Sequence, residues 1–171
     1  MECREKEAPP HDAARALFHY SGDAGRLLRA YKFGRHRNAA AFISDLFAAA
    51  VLELEKESGL ALTVVPVPPR PGKIKKTGWD QMEAIARSLE IAHGRRASRC
   101  LRRTDGAVQK RLGREARMEN ARSLFSCVGP PPSAAALIDD VTTTGSTLAG
   151  CARALKSAGC PYIAVIALCY D

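Results

Sequence analysis

Leu137-Ile138-Asp139-Asp140-Val141-Thr142-Thr143-Thr144-Gly145-Ser146-Thr147 is the stretch on which the reading of this chain turns. The apolar run Ala134 to Ile138 reads as a buried strand, Asp139 to Ser146 as a polar loop, and Thr147 to Ala158 as a helix stopped by Gly159. The first N–H groups of a helix lack partners and its dipole end is positive, so an anion can be held there. Gly145 can take a positive φ without steric cost, and Thr143, Thr144, Ser146 and Thr147 offer hydroxyls as well as amides, so the loop can form an anion-binding nest. Asp139 and Asp140 stand beside it on the same turn, at a distance suited to a sugar joined to the phosphate, where carboxylates accept hydrogen bonds from vicinal ribose hydroxyls. Adjacent carboxylates repel, so a divalent ion or hydroxyl donors must compensate them. A lone Asp-Asp pair would read as a plain turn followed by a Ser/Thr cap; the whole string favours the anion site. It is not a Walker A loop, since no lysine follows Gly145, and it lacks the GxGxxG of a dinucleotide fold.

The flanks supply the architecture. Pro161 to Cys169 is a further apolar strand. From Asn38 to Ser58, Phe42, Ile43, Leu46, Phe47, Ala50, Val51 and Leu54 recur at helical spacing, and Gly59 ends the helix. Leu62, Val64, Val65 and Val67 form a short strand that opens into a loop stiffened by Pro66, Pro68 and Pro69. Gln81 to His93 is again helical, with Gly94 as its stop. Alternating helix and strand predicts one α/β domain with a mostly parallel central sheet flanked by helices, spanning residues 15 to 171 behind a weakly ordered lead-in over residues 1 to 14.

The chain has 171 residues and a formal charge of +8, which favours an anionic partner. Nearly all of that surplus lies in Arg95 to Arg117, where nine lysines and arginines face only Asp105 and Glu115. Such a run is either a solvated face or a loop that meets phosphates. The six cysteines show neither CxxC nor metal-ligand spacing, so they read as small apolar residues kept reduced in a cytoplasm rather than as a zinc site. No apolar run approaches the roughly 18 residues of a membrane span, and the charged N-terminal stretch is not a secretion signal.

Asp139 to Thr147 resembles the ribose-phosphate loop of type I phosphoribosyltransferases, which bind 5-phosphoribosyl 1-diphosphate (PRPP) with Mg²⁺. Outside that loop the chain is similar to the ComF branch of the family, linked to competence and DNA uptake. Tyr31-Lys32-Phe33 before Gly34 resembles the ComF lysine-aromatic element ahead of the first helix. Val65-Pro66-Val67-Pro68 and Gly78-Trp79-Asp80-Gln81 resemble its proline loop and a following element in which Arg, Phe and Asn stand where this chain has Thr77, Trp79 and Asp80. Arg102, Gln109, Leu112, Arg117, Asn120 and Phe125 fall at the intervals of the ComF basic segment, with Gly106 in place of a usual threonine. The four-cysteine zinc module common at the start of ComF proteins has no counterpart beyond Cys3.

The resemblance implies a cytoplasmic phosphoribosyltransferase that moves phosphoribosyl from PRPP to an unidentified acceptor and releases diphosphate. It places PRPP on Asp139, Asp140, Thr142, Thr143, Thr144, Gly145, Ser146 and Thr147, with the two aspartates holding ribose hydroxyls or serving as base. Pro68, Pro69 and Arg70 would lie beside the diphosphate, with Lys73, Lys75 and Lys76 adding positive field; the plain alternative there is a solvated turn. A flexible basic loop carrying Arg102, Gln109, Arg111 and Arg114 would close over PRPP and exclude water. Mg²⁺ would neutralise diphosphate oxygens. A second reading keeps the fold without turnover, as an accessory protein that binds single-stranded DNA through Arg95 to Arg117 with Tyr31, Phe33 and Trp79 as stacking surfaces. Single-stranded DNA, a competence helicase and a second copy of the chain are the further partners this class implies.

Overall fold

Helices cover both faces of a central sheet. The computed structural model describes residues 8–33, 38–104 and 124–171. The side chains of residues 76 and 77 also fall outside the description. In chain order the elements are β1 (Ala13–His19), α1 (Gly22–Phe33), α2 (Ala39–Ser58), β2 (Thr63–Pro66), α3 (Lys73–Thr77), α4 (Gln81–His93), β3 (Leu101–Arg103), β4 (Phe125–Cys127), β5 (Ala134–Thr142), α5 (Ser146–Ser157) and β6 (Tyr162–Tyr170).

Four strands pair in parallel in the order β1-β6-β5-β2, while β3 and β4 form a separate antiparallel ribbon with Leu101 opposite Cys127. This is the expected α/β class. A parallel sheet is covered on both faces, which explains the unbroken burial of Ile163 to Cys169. On one face, Ala136, Ile138, Ile166 and Leu168 meet α1, α2 and α4 through Leu28, Phe47, Val51 and Ile85. On the other, Leu137, Ile163 and Val165 meet α5 and the ribbon through Leu148, Cys151, Leu155 and Phe125. The outer edge of β2 is closed by the chain itself: Val64 N–H donates to the Arg96 carbonyl and Ser98 N–H to the Val64 carbonyl, both at 2.8 Å.

Four features differ from the sequence reading. β5 runs on through Thr142, so Asp139 and Asp140 belong to the strand and not to a turn. Backbone pairing to β6, with Asp139 opposite Ala167 and Thr142 opposite Tyr170, keeps these polar residues extended. Helix α1 was not legible, because its buried residues Gly25, Leu28 and Tyr31 are interleaved with Arg26 and Arg29. It carries Tyr31, Lys32 and Phe33 in its last turn rather than ahead of a first helix. Finally, residues 12 to 14, taken as lead-in, are tied down by distant partners: the Asp12 carboxylate accepts from Ile163 N–H and Lys156 Nζ, both at 2.8 Å, and β1 starts at Ala13.

The cysteines Cys100, Cys151, Cys160 and Cys169 are buried free thiols, as expected of small core residues. Among the described residues no helix is long and apolar enough to cross a membrane.

Candidate functional site

At the carboxyl end of the sheet lies a cavity of about 500 Å³, where ligands of open α/β sheets commonly bind. Asp139, Asp140, Thr142 to Thr147, Pro68, Pro69 and Arg70, separated by some seventy residues of chain, all line it. The proline loop is held there because Val67 N–H donates to the Ile138 carbonyl at 3.0 Å, one residue ahead of the aspartates.

The loop after β5 has the conformation its composition predicts. Gly145 sits at φ 72° and caps α5, a left-handed backbone that costs a residue with a Cβ. Its carbonyl accepts from Ala149 N–H at 2.8 Å, so the helix is regular from its first turn. Thr144 Oγ1 donates to Ser146 Oγ at 3.1 Å and accepts from Ser146 N–H at 3.4 Å, which holds both hydroxyls at the mouth of the helix.

The two aspartates differ from expectation. Successive residues of a strand point to opposite faces, and the pair obeys this despite its shared negative charge. Asp140 is buried on the α1 side, where Lys32 Nζ contacts its Oδ2 at 2.8 Å. Asp139 faces α5, close enough that its charge helps to push the Cys151 thiol upward, after burial itself. Asp139 forms no ion pair among the described residues, although its Oδ1 accepts Asp140 N–H at 2.9 Å. Burial first and the Asp140 charge second push the Asp139 carboxyl up to about 7. Compensation by a divalent ion or hydroxyl donors is therefore needed at one aspartate rather than two, because a lysine already serves the other.

Lys32 is held by its neighbour. Tyr31 is fully buried, its hydroxyl donates to the Gln81 carbonyl at 2.7 Å, and its ring meets Trp79 edge-on at 5.0 Å. Tyr31 is thus core and unavailable for stacking on a base, whereas Phe33 is 77% exposed on the cavity wall. Asp80 also lines the cavity, and its carboxylate accepts from Met82 N–H and Glu83 N–H at 3.0 and 3.2 Å, making it the N-cap of α4.

The basic segment divides. Arg95 pairs with Glu55, and Arg99 is clamped between Glu83 and Glu90, so these two cations fasten the segment to α2 and α4. Arg102 points outward from β3 and does not line the cavity; Arg103, one residue on, does. The period of two in a strand selects between them. Arg103 lies over the Phe125 ring with its guanidinium carbon 5.0 Å from the centroid, and Phe125 in turn lies against α5 at Gly150, where an added Cβ would come within 2.9 Å of Cδ2. Gln109, Arg111 and Arg114, with Gly106, Leu112, Arg117 and Asn120, lie outside the described residues, as do Cys3, Gly34 and the Lys76 side chain. Lys73 lines the cavity and Lys75 is exposed on the same short helix.

Three charged lining residues stand outside the site residues assigned from sequence. Lys32 had a signal in the lysine-aromatic element, Asp80 in the capping position before α4, and Arg103 in the strand alternation that an unassigned β3 concealed.

No family model matches the chain. It is similar to the DNA utilization protein YhgH of Escherichia coli strain K12, with 28% identity over 172 residues covering 98% of this chain and 75% of that protein. The proteins of the same name from Shigella flexneri and Salmonella typhi are 28% identical over 172 and 174 residues, with the same coverage.

Proposed function

We propose that this chain is a ComF-type phosphoribosyltransferase that binds PRPP with Mg²⁺ at the carboxyl end of its sheet, transfers phosphoribosyl to an acceptor and releases diphosphate, in the service of DNA utilization. The observation that carries the reading is the convergence on one cavity of the Thr142 to Thr147 loop, the Asp139–Asp140 pair and four basic side chains, Lys32, Arg70, Lys73 and Arg103. The resemblance of Asp139 to Thr147 to the ribose-phosphate loop points the same way, and the name of the relatives bears only on the link to DNA utilization.

Glycosyl transfer breaks an anomeric carbon–oxygen bond through an oxocarbenium-like state, so the protein's task is to fix the ribose and to stabilise a departing diphosphate. The N–H groups and hydroxyls of Thr143 to Thr147 hold the 5-phosphate at the positive end of α5. Asp140, held in place by Lys32, accepts hydrogen bonds from the ribose hydroxyls. Arg70 and Lys73 face the diphosphate from the proline loop, and Arg103 closes the cavity from the ribbon. Mg²⁺ fits this donor set, since Asp139 is a carboxylate with no ion-pair partner among the described residues and Mg²⁺ typically takes one or two carboxylates plus substrate phosphates. When bound it supplies charge neutralisation to the diphosphate.

Thermal unfolding with PRPP and Mg²⁺ tests the reading. A ligand at a hundred times its Kd stabilises the native state by about 2.7 kcal/mol, which raises Tm by roughly 5–10 °C in a chain of this size. Diphosphate release with a panel of nucleobases then seeks the acceptor. No shift at millimolar PRPP would overturn the proposal.

The relatives' name favours a second reading in which the protein binds single-stranded DNA without turnover. Binding of labelled single-stranded DNA would then weaken linearly with salt on a logarithmic scale, by roughly 0.7 per phosphate contacted, and PRPP would compete if the two sites overlap. No binding at low salt would remove it.

A further inference from the structure

We infer that Lys32 is a positioning residue that serves as the built-in counter-cation of Asp140, so that one of the two site carboxylates is already compensated and the free protein offers no waiting site for a divalent cation. The inference rests on the PRPP reading above.

Contact, anchorage and surroundings support it. Lys32 Nζ lies 2.8 Å from Asp140 Oδ2, and the two side chains are only 19% and 12% exposed. A pair so withdrawn from water keeps its geometry, because either partner alone would be a poorly solvated charge. The ammonium is not free to drift: Tyr31, one residue earlier, is fixed by its hydroxyl bond to the Gln81 carbonyl at 2.7 Å and by its edge-on contact with Trp79. Lys32 also stands in the last turn of α1, where the negative end of the helix favours a cation. The other titratable groups around Asp140 are the Tyr31 hydroxyl, the Cys169 thiol and the neighbouring Asp139, with Asp80 further along the same wall. Arg70, Lys73 and Arg103 line the same cavity, and among the described residues Lys32 is the cation that pairs with Asp140.

The arrangement has a consequence that a purely structural ion pair lacks. A cavity with two uncompensated carboxylates would attract a dication before any phosphate arrived. With Lys32 in contact with Asp140, Asp139 is the one carboxylate of the pair left to a divalent ion, whose remaining ligands have to come from the phosphates of PRPP. Metal affinity in the absence of PRPP therefore reports on Lys32 itself.

The experiment is a Mn²⁺ titration followed by electron paramagnetic resonance, without PRPP, on wild type, Lys32→Arg, Lys32→Gln, Lys32→Met and the double variant Lys32→Met/Asp140→Asn. Wild type and Lys32→Arg should show no saturable binding below millimolar Mn²⁺. Lys32→Gln and Lys32→Met should bind at least about tenfold more tightly, since one positive charge is removed from contact distance of the carboxylate. The double variant, with the wild-type net charge restored, should return to the wild-type level. Lys32→Gln keeps a hydrogen-bond donor toward Asp140 and carries the comparison if Lys32→Met does not fold. Equal Mn²⁺ affinity in wild type and Lys32→Gln, or saturable sub-millimolar binding by wild type, would overturn the inference. A calorimetric titration of wild type with PRPP and Mg²⁺ judges the PRPP reading separately, so the failure of either is recognised without the other.

Discussion

Asp139 and Asp140 are consecutive, yet the pleat of β5 gives them opposite surroundings. Asp140 turns to the face covered by three helices, where a lysine held by a buried tyrosine meets it. Asp139 turns to the face covered by α5 and the ribbon, where it has no ion-pair partner among the described residues, and burial and the Asp140 charge push its carboxyl up to about 7. The acidic pair is therefore not a unit: one member is paired by the scaffold with a lysine, and the other is left to be compensated by what enters the cavity.

The largest expected effect falls on the Asp139 face. Gly145→Val should lower PRPP affinity by about tenfold to a hundredfold, because a β-branched residue at φ 72° carries a strain of about 1–3 kcal/mol. An added Cβ meets nothing within 4 Å there, so the loss is conformational and not steric. Gly145→Asn, which tolerates the left-handed region, should keep most of the affinity. Calorimetry on the two variants checks this, and equal losses would locate the effect in the side chain instead.

Next comes the pair itself. Asp140→Asn leaves Lys32 in a poorly solvated position without its partner, and should cost about 1–3 kcal/mol, a fall in Tm of roughly 2–10 °C. Asp139→Asn should cost nothing or stabilise. The pH dependence sharpens the contrast. Asp139 has a folded value near 7 against an ordinary 3.8, so between these limits the folded chain holds a proton that the unfolded chain has released. The stability it contributes is fully present at acid pH and is lost as pH rises toward 7. Urea midpoints at about pH 5 and about pH 8 should fall more for wild type than for Asp139→Asn. Parallel behaviour of the two would mean that the carboxylates are equivalent after all.

Gly150→Ala should cost about 1–2 kcal/mol, since its Cβ would sit 2.9 Å from Phe125 Cδ2 and must displace that ring. Arg103 rides on Phe125, so the same variant should also bind diphosphate less well, which is read by titration calorimetry. The smallest effect is the most diagnostic for the ribbon: Arg103→Gln should weaken PRPP binding several-fold, while Arg102→Gln, one residue away on the exposed face, should leave it unchanged.

The stretch Leu137 to Thr147 by itself determined the class of the fold and the centre of the site. An apolar strand, small hydroxyl residues, one glycine and a helix start are local signals, and local backbone preference carries them into the structure with Gly145 in the conformation its role demands. The strands at Val64 and Ile163 and the helices at Ile43 and Ile85 were legible for the same reason, since periodicity records which side of an element is buried. Charge was legible only as a sum. The surplus in Arg95 to Arg117 gave no sign that Arg95 and Arg99 are consumed by Glu55, Glu83 and Glu90, or that Arg103 rather than Arg102 reaches the cavity. Nor could the acidic pair announce that its two members would part company, with Lys32 arriving at Asp140 from more than a hundred residues upstream. Those outcomes depend on which helices cover which face of the sheet, and an ion pair forms where packing has already brought two distant segments within a few ångströms, a distance that no spacing along the chain encodes.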